Sequence, residues 1–293
     1  MDYFTPAPGL TEPVDFTSST LVLPQPSLAS LAQLGADLIV TNFHLARIGF
    51  LGLRDHVPAI SGLDSLSNEP ETSPYGISYS VEVFQTPSKS LTVVLPRSPV
   101  IRARRRHYLD SMRRFIEQGR FKEVLIVAGV DAALRGDEGL NSSSPLRHFL
   151  LPSTTTTTGS NLPLDTVSTP YSTRTATTES ISIPLMPHGG LTRKLLETLS
   201  SSSSVPPVSA LLAYTFDTTE PSTAFFLADA LAVVLSEPLQ GLEKGIERLN
   251  IVEDGVREGE VSSNRLDWKV PKSWESGLMG AELGLEQRTE LFG

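Results

Sequence analysis

The chain opens with a short apolar strand, an amphipathic helix and a second apolar strand in close succession. Residues 21–23 form the first apolar run, and Ser27 then offers the side chain of a helix N-cap. Small and apolar residues recur at three- and four-residue steps over residues 28–42, which is one face of a helix. Residues 48–51 form the next apolar run. This order predicts a β-α-β unit with parallel pairing, and hence an α/β fold.

The rest of the chain continues to alternate between strands and helices. Residues 78–84 alternate apolar and polar positions, and residues 91–95 follow after a short turn, as in an antiparallel hairpin. Two continuous apolar runs, 124–128 and 208–216, are typical of central strands buried on both faces. Further helices are predicted at residues 104–118, 191–199 and 222–236. The sequence therefore predicts a three-layer α/β/α domain with a mainly parallel central sheet, a β-hairpin and a C-terminal tail.

The domain organisation follows from where this pattern stops. Residues 1–18 are rich in proline and threonine and are predicted to be a flexible N-terminal segment. Residues 19–252 are predicted to be a single α/β domain, with a Ser/Thr-rich insertion at 153–180 that has little apolar area to offset the entropy of ordering. Residues 253–293 are predicted to be a C-terminal extension and docking tail. The extension holds two residues expected to pin it to the body, Trp268 and Trp274.

Composition narrows the classes of function. The chain has 293 residues, of which 39% are hydrophobic, no cysteine, and a formal net charge of -9. Because nucleic-acid binding usually needs a basic surface, no nucleic-acid partner is expected. The absence of cysteine excludes disulfides, thiolate catalysis and zinc–thiolate sites. The longest apolar stretch, residues 224–235, contains Asp229 and is too short to cross a bilayer, so we expect a soluble protein without a membrane partner.

Candidate catalytic residues are few and scattered. Asp131 follows a buried strand, at the end where α/β enzymes often place catalytic groups, and His148 and Ser153 are conceivable partners. No G-x-S-x-G elbow, HExxH motif or glycine-rich phosphate loop accompanies them. The turn after His188 has two glycines before a helix, which suits an anion site or simply close packing. We therefore predict no catalytic, cofactor-binding or metal site, and no enzyme.

One cluster of positive charge stands out in this acidic chain, at the start of the helix predicted over residues 104–118. Its members are Arg102, Arg104, Arg105, Arg106, Arg113 and Arg114. Positive charge at a helix start opposes the helix dipole, so local stability does not account for the cluster. Arg104, Arg105 and Arg106 are therefore candidates for contact with an acidic partner surface. The alternative is a solvated helix face, because several of these arginines have a carboxylate four positions away.

Four segments, taken in order along the chain, resemble the proteasome assembly chaperone 2 family in a fungal-type form. They are QLGADLI at 33–39 with RIGF at 47–50, LRHFLLPS at 146–153, PHGGLTRK at 187–194, and WKVPKSW at 268–274. None of them is a catalytic motif. Their order, spread over most of the chain, makes the resemblance specific, and Ser/Thr-rich inserts interrupt it.

The resemblance implies a function by binding rather than by chemistry. It implies a chaperone for 20S proteasome assembly that forms a heterodimer with proteasome assembly chaperone 1. That pair would hold the proteasome α subunits and promote α-ring formation. The resemblance also implies that the protein works in the cytoplasm and nucleus, without a cofactor.

The resemblance gives a role to Leu291, Phe292 and Gly293 as well. In proteasome activators, a terminus of hydrophobic residue, tyrosine and any residue docks into pockets between adjacent α subunits. Phe292 departs from that pattern because it lacks the tyrosine hydroxyl, but burying its ring is worth roughly 1.5–3 kcal/mol. The expectation is weak docking that a second contact surface must reinforce, and the alternative is a frayed end.

Two other classes of function remain open. An enzyme on a nucleoside phosphorylase-like or hydrolase-like α/β scaffold would bring Asp131, His148 or His188 together in a pocket. A phosphorylation-regulated scaffold would use the Ser/Thr tract at residues 154–178 to bind its partners.

Overall fold

The computed structural model describes residues 3–10, 12–62, 77–134, 144–151, 160–171, 183, 186, 188–218, 221–240, 242, 266, 268–271 and 273–274. The strands in these residues are β1 (Phe4–Pro6), β2 (Thr20–Pro24), β3 (Ala46–Leu51), β4 (Ile60–Gly62), β5 (Ile77–Tyr79), β6 (Val81–Gln85), β7 (Leu91–Pro96), β8 (Glu123–Asp131), β9 (Leu146–Leu150), β10 (Thr169–Pro170) and β11 (Val208–Thr215). The α-helices are α1 (Leu31–Asn42), α2 (Arg105–Gly119), α3 (Gly190–Ser200) and α4 (Pro221–Val234).

Nine of these strands form one sheet in the order β1-β3-β6-β7-β2-β8-β11-β9-β10, and β4 and β5 form a separate two-stranded ribbon. The four strands β7, β2, β8 and β11 are parallel and make the centre of the sheet. Antiparallel pairs flank them, through β6, β3 and β1 on one side and β9 on the other. Apolar side chains of β8 are buried on both faces, as the continuous apolar run predicted.

Helices cover both faces of this sheet, which confirms the predicted three-layer α/β/α fold. One apolar cluster joins α1 and α4 to the sheet, and the other joins α2 and α3 to the opposite face. The α1–α4 contact is close, because a Cβ built on Gly35 would lie 3.0 Å from Leu227 Cδ2. The amphipathic stripe predicted for α2 is also confirmed, with Tyr108, Met112 and Phe115 buried.

The opening β-α-β unit is built differently from the prediction. Strand β3 runs in the same direction as β2 but does not pair with it, because the hairpin β6–β7 lies between them. The prediction of direct parallel pairing was therefore wrong. Local sequence order gave no sign that a later hairpin would separate the two strands.

The start of α1 also differs from the prediction. Ala29 and Ser30 have left-handed backbone φ angles of 55° and 53°, so the α-helix begins at Leu31 rather than Leu28. Ser27 does not cap the helix through its side chain. Its Oγ instead accepts a hydrogen bond from the backbone N–H of Gly129, at 2.9 Å. This bond joins the turn after β2 to strand β8.

Part of the predicted N-terminal segment contributes to the fold. Strand β1 pairs antiparallel with β3 at the sheet edge, and buried Phe16 contacts the rings of Phe115 and Phe121 at centroid distances of 5.3 and 5.4 Å. A three-residue strand among prolines carries no periodic signal, so the sequence placed residues 1–18 in a flexible segment. Residues 160–171, within the predicted insertion, likewise supply β10 and buried Leu164. The other domain boundaries stay predictions.

Within the described part of the chain, no helix combines the length and apolar character needed to span a membrane.

Candidate functional sites

The carboxyl ends of the central strands hold the first candidate site. His188 Nδ1 lies 3.0 Å from Asp131 Oδ2, and Asp131 Oδ1 accepts a hydrogen bond from the backbone N–H of Ala133 at 2.8 Å. His188 has a left-handed φ of 57°. Two of the predicted catalytic candidates therefore meet. However, no serine or threonine hydroxyl is found at hydrogen-bond distance from this pair among the described residues.

His148 lies elsewhere and is buried in a hydrogen-bond network. Its Nδ1 is 2.9 Å from Ser168 Oγ, and its Nε2 is 3.4 Å from Asp165 Oδ1. The Ser168 hydroxyl donates to the backbone carbonyl of Leu164 at 2.8 Å, so it is the His148 ring nitrogen that donates to Ser168. A nucleophilic serine needs the opposite arrangement, with its proton accepted by the histidine. The network therefore holds the segment after β9 in place, and Ser153 lies outside the described residues.

Of the two glycines after His188, only Gly189 is explained by packing. A Cβ built on Gly189 would lie 2.8 Å from Met186 Cβ, whereas nothing lies within 4 Å of one built on Gly190. The described residues also contain no group of three or more His, Asp or Glu side chains suited to a metal ion. Of the residues named for the enzyme alternative, Asp131 and His188 meet at the end of β8, whereas His148 belongs to a separate network.

Asp55 organises the start of α2, and sequence reasoning missed it. Its buried carboxylate accepts hydrogen bonds from Arg104 Nε at 2.8 Å and the Tyr3 hydroxyl at 2.9 Å, and lies 2.8 Å from His107 Nδ1. Burial alone would raise the pKa of Asp55, but these hydrogen bonds outweigh it and hold the pKa below its usual value. Burial and the nearby Asp55 charge raise the pKa of Tyr3 strongly. A lone Asp in a loop carries no sequence signal for partners about fifty residues away.

The predicted arginine cluster divides into two groups. Arg104 forms a salt bridge with Asp55, and its contact with a partner stays a prediction. Arg113 pairs with Glu117 at 2.7 Å, as i,i+4 spacing predicted. The exposed members of the cluster are Arg102, Arg105, Arg106 and Arg114. Contact of Arg105 and Arg106 with a partner stays a prediction.

An apolar patch lies on the ribbon formed by β4 and β5. In the ribbon, Ile60 pairs opposite Tyr79 and Gly62 opposite Ile77, so the two isoleucines share one face. Ile60 is 74% exposed and Ile77 is 44% exposed. The neighbouring Val57 donates its backbone N–H to Pro99 O at 3.0 Å, which places the patch near the start of α2. We call Val57, Ile60 and Ile77 the ribbon patch.

The end of the described chain is fastened to α1 and α4, as the sequence predicted for the two tryptophans. Trp268 Nε1 donates to Asp229 Oδ1 at 2.8 Å, and Trp274 Nε1 donates to Asp37 Oδ2 at 3.1 Å. Between them, Lys269 N donates to Asn42 Oδ1 at 2.9 Å, and Asn42 Nδ2 returns a bond to Lys269 O at 2.9 Å. Residues 266, 268–271 and 273–274 are called the C-terminal strap below.

Asp37 also begins a chain of ion pairs across the sheet. Arg97 Nη1 lies 3.2 Å from Asp37 Oδ1, and Arg97 Nε lies 3.1 Å from Glu82 Oε2. Glu82 Oε1 is in turn 2.6 Å from Arg47 Nη1, which also donates to Ile77 O at 2.6 Å. The chain of contacts joins the strap to the base of the ribbon patch. Its sequence signal was Asp37 itself, a carboxylate inside the apolar stripe of α1.

Another candidate site is a cavity of about 330 Å³ between the end of β11 and the start of α4. Its aromatic wall is Tyr214, Phe216 and Phe226, and its hydroxyl groups include those of Thr218 and Ser222. Neither Asp131 nor His188 lines it. The predicted docking residues Leu291, Phe292 and Gly293 lie outside the described residues.

Comparison with known proteins adds to this geometry. No protein-family model matches the chain. The chain is 28% identical over 148 residues to proteasome assembly chaperone 2 of Nematostella vectensis, covering 50% of this chain and 59% of that protein. It is 24% identical over 266 residues to proteasome assembly chaperone 2 of Bos taurus, covering 89% and 91%. The chain resembles proteasome assembly chaperone 2. The resemblance predicted from the sequence is confirmed.

The extent of the match to chaperone 2 differs between relatives. The chain spans about three fifths of the Nematostella chaperone 2 that it matches. Its fold is shared with Pyrococcus furiosus PbaA, described as an archaeal homolog of proteasome-assembly chaperone, with a TM-score of 0.52 and 13% identity over 81% of this chain and 92% of that chain. At that identity the likeness shows the fold alone.

Proposed function

We propose that this chain is a chaperone for 20S proteasome assembly that acts as a heterodimer with proteasome assembly chaperone 1 and promotes α-ring formation. The observation that carries the proposal is the similarity to proteasome assembly chaperone 2 along 266 residues. The chaperone works by binding in the cytoplasm and nucleus, without catalysis and without a cofactor. Two observations support the non-enzymatic function. Asp131 and His148 have different partners, and the Ser168 hydroxyl donates its proton to the backbone carbonyl of Leu164.

The globular body supplies the contact with the sister chaperone. The ribbon patch exposes apolar side chains on a segment held at its base by Arg47 and by the ring of Phe50, which lies 4.8 Å from that of Tyr79. A preformed apolar surface loses little conformational freedom on binding, which favours stable association. The exposed residues Arg105 and Arg106 attract an acidic surface on the partner.

The second contact is the tail. Leu291, Phe292 and Gly293 dock between adjacent α subunits, where the apolar side chains fill a pocket. Burial of one aromatic ring stabilises the complex by roughly 1.5–3 kcal/mol. The entropy cost of ordering the tail offsets much of that gain. The tail therefore adds affinity only when the body or the sister chaperone is bound at the same time.

Affinity purification of the full chain from its own cells, with bound proteins identified by mass spectrometry, tests the proposal. A variant lacking residues 291–293 and an Ile60→Ser/Ile77→Ser variant are purified in parallel. We expect the full chain to recover the sister chaperone and α subunits, the truncated chain to lose α subunits selectively, and the ribbon variant to lose the sister chaperone. Leu134→Ser is the matched control, since Leu134 is 61% exposed outside the ribbon. Recovery of neither partner by the full chain rules the proposal out.

A further inference from the structure

The cavity at the end of β11 has the chemistry of a binding site for an apolar peptide segment. Three aromatic rings line it, and one of them, Phe216, is 65% exposed. Most aromatic rings of this protein are buried or packed against another ring, so an exposed phenylalanine at a cavity indicates a surface that another group covers. Hydroxyl groups at its rim can satisfy the backbone of a bound peptide.

The C-terminal strap brings the end of the chain to the same helix. Trp274 packs against Phe225 of α4, with ring centroids 6.1 Å apart, and its indole is held by Asp37. Phe226, the next residue, lines the cavity, and Ser222 lies about one helical turn away. The chain therefore leaves the described body within a short distance of the cavity.

The remaining length of chain is sufficient to reach it. Residues 275–290 separate Trp274 from Leu291, and an extended segment of that length spans up to about 55 Å. A tethered segment of this size meets a site near its attachment point at an effective concentration on the order of millimolar. Even a weak site would then be occupied for much of the time.

Two adjacent apolar pairs lie in residues 275–293, Leu278 with Met279 and Leu291 with Phe292, and only the second carries an aromatic ring to stack in an aromatic-lined cavity. We propose that the cavity formed by Tyr214, Phe216 and Phe226 binds residues 290–292 of the same molecule and so stows the docking tail on the body. Stowage itself does not depend on the proposed function. Its consequence, which does, is that the α ring must compete with the cavity for the tail.

The absence of cysteine allows a clean test by cross-linking. A Thr218→Cys/Glu290→Cys pair places one thiol at the cavity and one in the tail of the full-length chain, and it keeps Leu291 and Phe292. The control pair is Gln118→Cys/Glu290→Cys, since exposed Gln118 lies on α2, on the opposite face of the sheet. We expect the cavity pair to form an intramolecular disulfide at least about tenfold faster than the control pair.

A second variant checks that the aromatic cavity causes the difference. Phe216→Ser in the Thr218→Cys/Glu290→Cys background should slow cross-linking several-fold, whereas Leu134→Ser, which removes a similarly exposed apolar side chain, should not. Both substitutions are at the surface, and unchanged thermal unfolding verifies the fold. Equal rates for the two cysteine pairs, or no effect of Phe216→Ser, would overturn stowage. Disulfide-linked dimers in place of the intramolecular product would mean that the cavity takes the tail of a second copy, which also overturns it.

The consequence for the proteasome is measured separately. Phe216→Ser should raise the affinity of the full-length chain for purified α rings by about two- to tenfold, because a free tail no longer competes with the cavity. Rapid cross-linking without any α-ring binding would refute the proposed function and leave stowage intact. Binding to α rings with equal cross-linking rates would do the reverse.

Discussion

Trp274 donates its indole N–H to the buried carboxylate of Asp37 at 3.1 Å, across 237 positions of sequence. The same carboxylate is paired with Arg97, 3.2 Å from its other oxygen. A buried carboxylate with both oxygens engaged is stable, whereas one that loses a donor bears an unmet desolvation cost. The bond therefore does more than fix the strap, because it also completes the environment of a charge inside the α1 layer.

Replacing Trp274 by phenylalanine should lower the free energy of unfolding by about 1–3 kcal/mol, since a smaller aromatic ring is kept but Asp37 Oδ2 loses this donor. The matched variant is Trp268→Phe. Trp268 donates its indole N–H to Asp229, and its ring is only partly buried. We expect a smaller loss there. Urea unfolding of both variants measures the difference. Equal losses in the free energy of unfolding would mean that the burial of Asp37 does not strengthen the effect of losing its donor.

Glu82→Gln should lower the free energy of unfolding more than the two tryptophan substitutions do. Glu82 has no exposed side-chain surface and lies between Arg47 and Arg97, so its neutralisation removes a charge partner from both guanidinium groups, although Arg97 keeps Asp37. Removing one partner of a buried ion pair costs about 3–5 kcal/mol, and the partial exposure of both arginines places this case at the lower end. Glu117→Gln, at the more solvated pair with Arg113, should cost about 1 kcal/mol or less. Denaturant midpoints that do not separate the two variants would contradict this account.

How much of this could be predicted depended on whether the signal was local. The stripe of α2 and the burial of β8 were predicted correctly because periodicity within one element sets both. The position of β3 was not, because a hairpin more than thirty residues later decides it. The two tryptophans were recognised as anchors from their size and apolar character. Their acceptors were missed, since pairing with Asp37 and Asp229 is long-range.

The same contrast applies to the candidate sites. The salt bridge between Arg104 and Asp55 spans 49 positions and has no sequence signature, so the clustering of like charge did not indicate it. Asp131 and His188 were named together as candidates, and they do meet. The sequence could not show that His148 would lie apart from Asp131 and His188. Nor could it show that the Ser168 hydroxyl would donate to the backbone carbonyl of Leu164.

Gly119→Ala should destabilise the protein although the residue has a helical backbone. A Cβ at this position would lie 2.2 Å from Phe121 Cε2, so the buried ring has to move. Overpacking of this kind typically costs about 1–3 kcal/mol. The left-handed residue that ends α2 is Arg120, with a φ of 51°, so glycine is needed at 119 for space rather than for its backbone freedom. Gly190→Ala is the control, since nothing lies within 4 Å of its built Cβ, and it should leave the thermal midpoint unchanged or slightly raised.

Stability should depend on pH through Asp55. Hydrogen bonds from His107, Arg104 and Tyr3 hold its pKa in the folded protein below the value of about 3.9 expected in the unfolded chain. The unfolded state then binds a proton more readily, so the contribution of Asp55 is fully present above that unfolded value and is lost as the pH falls through the folded pKa. An Asp55→Asn variant lacks the carboxylate at every pH. The difference in thermal midpoint between wild type and Asp55→Asn should therefore be largest near neutral pH and shrink below about pH 4. A difference that stays constant down to pH 2 would show that Asp55 stabilises the start of α2 by packing rather than by charge.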